Sequence, residues 1–124
     1  MIFLIILNGC SKEDVRNHEL EKAIFEMVAD QSKEEIDLLQ LTEFEWDRAF
    51  LFAPYTNQEQ INKTLGFYFE DKSQIAIRDD IYLLVFTRGN QVIAYAEVDR
   101  QQVNYTVPGD ASLIPEHPLI TIER

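Results

Sequence analysis

Carboxylates are the side chains of this sequence with the most chemistry to offer. Glu43, Glu45 and Asp47 recur at every second position. In an extended segment all three would project from one face while Phe44 and Trp46 project from the other. Such a row suits a cation or a basic protein partner. Calcium, however, takes roughly six to eight oxygens from a sharply turning loop, and this segment has neither glycine nor alternating aspartates. A metal is therefore not expected, and a solvated strand face is the plain alternative. Asp79 and Asp80 have the types of a paired acid and base. Adjacent aspartates also commonly end one element and start the next. The two histidines, His18 and His117, have no ligand-type residue at i+4, so neither reads as a metal site. Trp46 and Tyr55 have the shape to line a pocket, and Trp46 equally suits a core. Gly66, Gly89 and Gly109 each have a turn or cap explanation, so no phosphate-cradling loop is expected. No catalytic constellation assembles from these residues. The expectation is a protein that is not an enzyme and needs no cofactor.

The elements that must position these side chains follow from hydrophobic spacing. Leu20, Ile24, Met27 and Val28 lie on one helical face, widened by Phe25, and predict a helix from Ser11 to about Gln31. Ser11 and Asp14 have the spacing of a capping box at its start. Ser32 and Glu35 form a second box, and the segment through Ile36, Leu39 and Gln40 suits a short helix or a strand. Residues 42–47 alternate and predict a strand. The continuous apolar run 49–53 predicts a strand covered on both faces, ended by Pro54. Thr56 and Glu59 predict a third capping box, with Ile61 and Leu65 on one face of a short surface helix and Gly66 as its left-handed C′ residue. Ile75 to Ile77 suits a short strand. Residues 81–86 and 92–96 predict a hairpin turning at Gly89-Asn90. Val103, Tyr105 and Val107 alternate, Pro108-Gly109-Asp110 reads as a turn, the segment 115–118 as a rigid loop, and Leu119 to Glu123 as a last strand. The sum is an α+β fold: an N-terminal helix packed on a mainly antiparallel β-sheet interrupted by one short surface helix. The central strands need cover on both sides; the first helix can supply one, and the region 36–47, sheet curvature or a partner is expected to supply the other.

The chain has 124 residues, room for one core. Hydrophobic residues make up 46% and charged residues 27%, a globular balance that argues against disorder. The formal net charge is −11, and no charged residue precedes Lys12. An acidic surface repels phosphate backbones and anionic headgroups, so nucleic acid is excluded as a partner and a basic protein is favoured. The single cysteine, Cys10, rules out an intramolecular disulfide.

The chain opens with an apolar run, residues 2–7, then Asn8-Gly9-Cys10-Ser11. Leu7-Asn8-Gly9-Cys10 resembles the lipobox of bacterial lipoprotein signal peptides: an aliphatic residue three before the cysteine and a small one just before it. The resemblance implies that residues 1–9 are a signal peptide removed before Cys10, with a diacylglycerol on the Cys10 sulfur. Residues 10–124 then form one lipid-anchored domain on the outer side of the cell membrane. No Lys or Arg precedes the run, so a start further upstream is expected. The same run would also suit a buried amino-terminal strand. The run is too short to span a bilayer, which needs about 20 apolar residues. Trp46-Asp47, Pro54-Tyr55-Thr56 and Leu65-Gly66, with the hairpin near Asp80 to Glu97, resemble a set of small bacterial lipoproteins and secreted proteins. That resemblance implies no activity and no site residues.

The reading expected from sequence is a non-enzymatic, protein-binding envelope domain. Its anchor is Cys10 and its partner-binding residues are Glu43, Glu45 and Asp47. An acidic inhibitor or immunity protein, neutralising a basic toxin or enzyme by charge complementarity, is the alternative. A small hydrolase using carboxylates is a third class.

Overall fold

A computed structural model describes residues 15–108 and 112–124. Cys10, the Ser11–Asp14 box and the Gly109-Asp110 turn lie outside the described residues. The elements, in chain order, are α1 (His18–Ala29), β1 (Glu35–Asp37), α2 (Leu38–Leu41), β2 (Arg48–Phe52), α3 (Gln58–Leu65), a 3-10 turn (Ile75–Ile77), β3 (Ile81–Arg88), β4 (Gln91–Asp99), β5 (Asn104–Thr106) and β6 (Leu119–Glu123). The strands form two antiparallel sheets, ordered β2-β3-β4 and β1-β6-β5. The α+β expectation holds, with the sheet divided in two.

β3 explains the layering. Seven of its eight residues are buried, so both of its faces are covered. On one face Tyr82, Leu84 and Phe86 join Leu20, Ile24 and Val28 of α1 and Ile36, Tyr105, Ile120 and Ile122 of the second sheet. On the other face Leu83 and Val85 meet Ile61 and Leu65 of α3, with Ile75 and the partly buried Phe67 and Phe69. The second cover is thus the short helix and the irregular chain after it, and not residues 36–47, whose Ile36, Leu38 and Trp46 join the α1 side of the core. Register makes room for Phe86, the largest of the fully buried side chains. Phe86 stands opposite Ala49 on β2 and Ala94 on β4. The space left by those small neighbours is filled by Phe44 and Trp46, edge-on to Phe86 at 5.2 and 5.3 Å between centroids. Such pairs add roughly 0.5–1.5 kcal/mol beyond area burial.

Several boundaries differ from expectation, each for a local reason. α1 starts at His18, because the Asn17 side chain accepts the Leu20 N–H and Asn17 itself is fixed to β4. Phe25 is 45% exposed and lies off the buried stripe. The segment after Ser32 resolves into β1, which pairs with β6, followed by a single helical turn that Asp37 caps by accepting the Leu39 N–H. Residues 42–47 are not a strand, although their inside–outside alternation holds: Trp46 is buried, and Glu43, Glu45 and Asp47 are exposed. α3 is capped one residue later than expected, by Asn57 with Gln60, while the Thr56 hydroxyl donates to the Ala53 carbonyl. Its end is as expected, with Gly66 at φ +87°. Ile75 to Ile77 is a 3-10 turn because the Asp71 carboxylate accepts the Ser73 and Ile75 N–H groups and curls the chain.

Candidate functional site

The three carboxylates predicted as a face are separated by what they touch. Asp47 accepts the Gly89 N–H at 2.8 Å and so fixes the β3–β4 turn. Glu45 stands 3.7 Å from the Arg88 guanidinium, with both side chains more than half exposed. A pair so exposed contributes little to stability. Glu43 lines a small hollow with Asn17, Glu19 and Phe44 at the start of α1. All three remain exposed, but Glu43 lies by the start of α1, while Glu45 and Asp47 face the β3–β4 turn.

The other sequence candidates are placed as follows. Trp46 is core, its indole N–H donating to the Thr42 hydroxyl at 3.1 Å. Tyr55 is 61% exposed and holds a left-handed backbone at φ +71°. His18 is exposed, its Nδ1 3.6 Å from a Glu21 oxygen. His117 is exposed in a turn closed by its own N–H to the Ile114 carbonyl. Asp79 and Asp80 do not work as a pair. Asp80 binds both ends of the Arg78 fork, at 2.9 and 2.8 Å. That hydrogen bonding holds the Asp80 carboxyl below the usual aspartate range. Among the described residues no group of three His, Cys, Asp or Glu side chains is placed to hold a metal ion.

The densest polar constellation was not legible beforehand. A shallow groove of about 580 Å³ is lined by Arg16, His18, Glu21, Arg78, Asp80 and Glu97. Glu97 is the hub. Its Oε1 accepts from Arg78 at 3.1 Å and its Oε2 lies 3.4 Å from Arg16, with only 11% of the side chain exposed. Glu21 accepts from Arg16 Nε at 2.7 Å and from the Glu97 backbone N–H at 2.9 Å. Arg78 also donates to the Ser73 carbonyl. Both guanidinium groups are held protonated more firmly than usual, Arg16 chiefly by its hydrogen bond to Glu21 and Arg78 chiefly by its hydrogen bond to Asp80. Glu21, Asp80 and Glu97 are thus each engaged by an arginine, whereas Glu26 and Asp99, which also line the groove, are not. What the arrangement does is join four segments: the chain before α1, α1 itself, the chain before β3, and β4. The sequence carried one faint signal of it, Arg78-x-Asp80, whereas Arg16 and Glu97 meet only through the fold.

Comparison with family models, with curated proteins and with solved structures finds no match for this chain. No helix of the described residues is long and apolar enough to cross a membrane.

Proposed function

We propose that this chain is a non-enzymatic binding module, held on the outer side of a bacterial membrane by a lipid on Cys10, and that its partner is a basic protein. The observation that carries the reading is the sole cysteine, placed at the end of Leu7-Asn8-Gly9-Cys10. Two acyl chains on one residue anchor stably where one chain is marginal. The net charge of −11 favours the basic partner, with the exposed carboxylates Glu43, Glu45 and Asp47 as the face it would meet. An acidic inhibitor or immunity protein rests on the same charge and differs in having a toxin or enzyme as its target.

The anchor is tested by expression in a bacterium behind an upstream basic start. The expected protein partitions into detergent, has the mass of a diacylglyceryl chain beginning at Cys10, and is released from membranes by Cys10→Ser. Unmodified full-length protein in the cytosol overturns the anchor. The binding face is tested by capture of partners with a Glu43→Gln, Glu45→Gln, Asp47→Asn variant beside a His18→Ala, His117→Ala variant, both shown to be folded. The carboxylate variant should lose the partner, and association should slow as salt rises. Capture kept by the carboxylate variant and lost by the histidine variant overturns that face.

A further inference from the structure

An outer strand of a sheet offers unpaired backbone groups unless something covers it. At β4 the strap Val15–Asn17 does so: the Tyr95 N–H donates to the Val15 carbonyl at 3.0 Å, and the Asn17 N–H donates to the Tyr95 carbonyl at 2.8 Å. At β2 the Ala49 and Leu113 backbones exchange two hydrogen bonds of 2.8 Å. β1 has no such cover. Its pairing with β6 is fixed by the Ile122 N–H on the Glu34 carbonyl at 2.9 Å and by the Leu38 N–H on the Pro118 carbonyl at 3.0 Å. Ile36 stands opposite Ile120, so residues 34, 36 and 38 are the ones whose backbone faces β6. Alternation turns the Glu35 N–H, the Glu35 carbonyl and the Asp37 N–H the other way. Among the described residues nothing hydrogen-bonds to these three groups. Glu35 is also exposed, whereas Tyr105, at the centre of the other outer strand of this sheet, is buried.

The side chains of this edge select what can lie beside it. Glu35 and Asp37 share one face of β1, and Ile36 on the other face is buried in the core. Their neighbours across the ladder, Thr121 and Leu119, carry no charge, so neither carboxylate is neutralised from β6. Lys33 is the one basic residue between positions 32 and 47, against Glu34, Glu35, Asp37, Glu43, Glu45 and Asp47. Side chains directly opposite on paired strands stand about 4.5–5.5 Å apart at Cβ, where opposite charges stabilise and like charges oppose. A second copy of β1 laid against the first would set carboxylate beside carboxylate. We propose that the outer edge of β1 takes an extended segment of a basic protein, with Lys or Arg at alternate positions, as an added antiparallel strand of the β1-β6-β5 sheet. One residue of that segment exchanges two hydrogen bonds with Glu35, and a carbonyl further along accepts the Asp37 N–H. The proposal rests on the basic-partner reading above and not on the anchor.

The probe is a short blocked peptide of alternating Lys and Val, titrated into the full chain carrying Cys10→Ser, with amide exchange read residue by residue. At saturation the Glu35 and Asp37 amides should exchange roughly tenfold more slowly, while those of Ile36 and Leu38, already in the ladder, change little. Methyl groups on the backbone nitrogens of the Lys residues keep every charge and remove the donors that face β1. They should weaken binding by roughly tenfold, and methyl groups on the Val nitrogens, which face outward, should not. Glu35→Pro removes an N–H that the pairing with β6 does not use, and should weaken the unmethylated peptide to the same extent. A peptide that binds equally well when methylated at Lys, or equally well to Glu35→Pro, overturns strand addition and leaves attraction by charge standing. Peptide-induced changes confined to residues 43–47 overturn the β1 edge and leave the basic-partner reading standing. Protection of the Glu35 and Asp37 amides that rises with protein concentration in the absence of peptide overturns the basic partner at this edge in favour of a second copy. A peptide that does not associate at all overturns the proposal, and the basic-partner reading then stands or falls on capture by the carboxylate variant.

Discussion

The two faces of the β2-β3-β4 sheet are closed by different means. On one, α1 and a second sheet lay regular elements over Leu84 and Phe86. On the other, an eight-residue helix and the chain after it cover Leu83 and Val85. The first cover is held by packing. The second is held largely by polar side chains of α3 that catch passing backbone. Gln58 donates to the Phe69 carbonyl and accepts the Asp71 N–H, and the Asn62 carbonyl accepts the Phe69 N–H. A sheet face can therefore be sealed without a second sheet if a short helix supplies amide side chains to an irregular strand-like segment. Such a cover should open before the rest of the fold, because few of its hydrogen bonds lie in a ladder.

The largest break in this comparison comes from the first face. Phe86→Ala empties the space between Ala49, Ala94, Phe44 and Trp46, and should cost about 3–5 kcal/mol in denaturant unfolding, with the whole domain lost in one transition. Asn62→Ala strikes the second face. It leaves the Phe69 N–H without its acceptor and should cost about 1–3 kcal/mol. The informative readout there is amide exchange: residues 67–71 should exchange much faster while amides of β3 on the α1 side change little. Equal acceleration in both places would show that the two covers open as one unit.

Tyr105 separates the sheets by pH. Its hydroxyl donates to the Asp99 carbonyl, and burial pushes its pKa up to about 12 from the ordinary 10. A raised folded-state pKa means that the unfolded chain loses this proton first. The contribution is complete below pH 10 and is lost as pH rises toward about 12. Tyr105→Phe should cost about 1 kcal/mol at neutral pH for the lost hydrogen bond and should flatten the alkaline limb of stability against pH. An unchanged limb would place the titration elsewhere. The smallest expected effect is at the end of α3. Gly66 has φ +87° with nothing within 4 Å of where a Cβ would stand, so Gly66→Ala meets backbone strain alone and should cost about 1 kcal/mol. An unchanged melting temperature would refute that.

Much of this architecture was readable from residue order where local signals and tertiary need agree. The run through Leu83 to Phe86 and the Gly89-Asn90 pair describe a hairpin without help from elsewhere. Leu20, Ile24 and Val28 describe a buried helical stripe. Legibility failed where two local signals were equivalent. Ser11 and Asn17 are both good caps, and the bond from Asn17 to Tyr95, far along the chain, marks where α1 begins. It failed again where alternation exists without a strand partner, as at residues 43–47. The charged groove escaped because its members are gathered from four segments, and no spacing rule joins Arg16 to Glu97.

The Val15–Asn17 strap has one more consequence. Along the free side of β4 the outward amides of Tyr95 and Glu97 are both occupied, the first by the Val15 carbonyl and the second by a Glu21 carboxylate oxygen. A carboxylate continues no ladder, since it accepts a hydrogen bond and presents no new donor to a next strand. β4, the longest strand, is thereby barred along that stretch from templating another copy. Molecules crowded at high density thus lack there the open rung from which edge-to-edge stacking grows into fibrils.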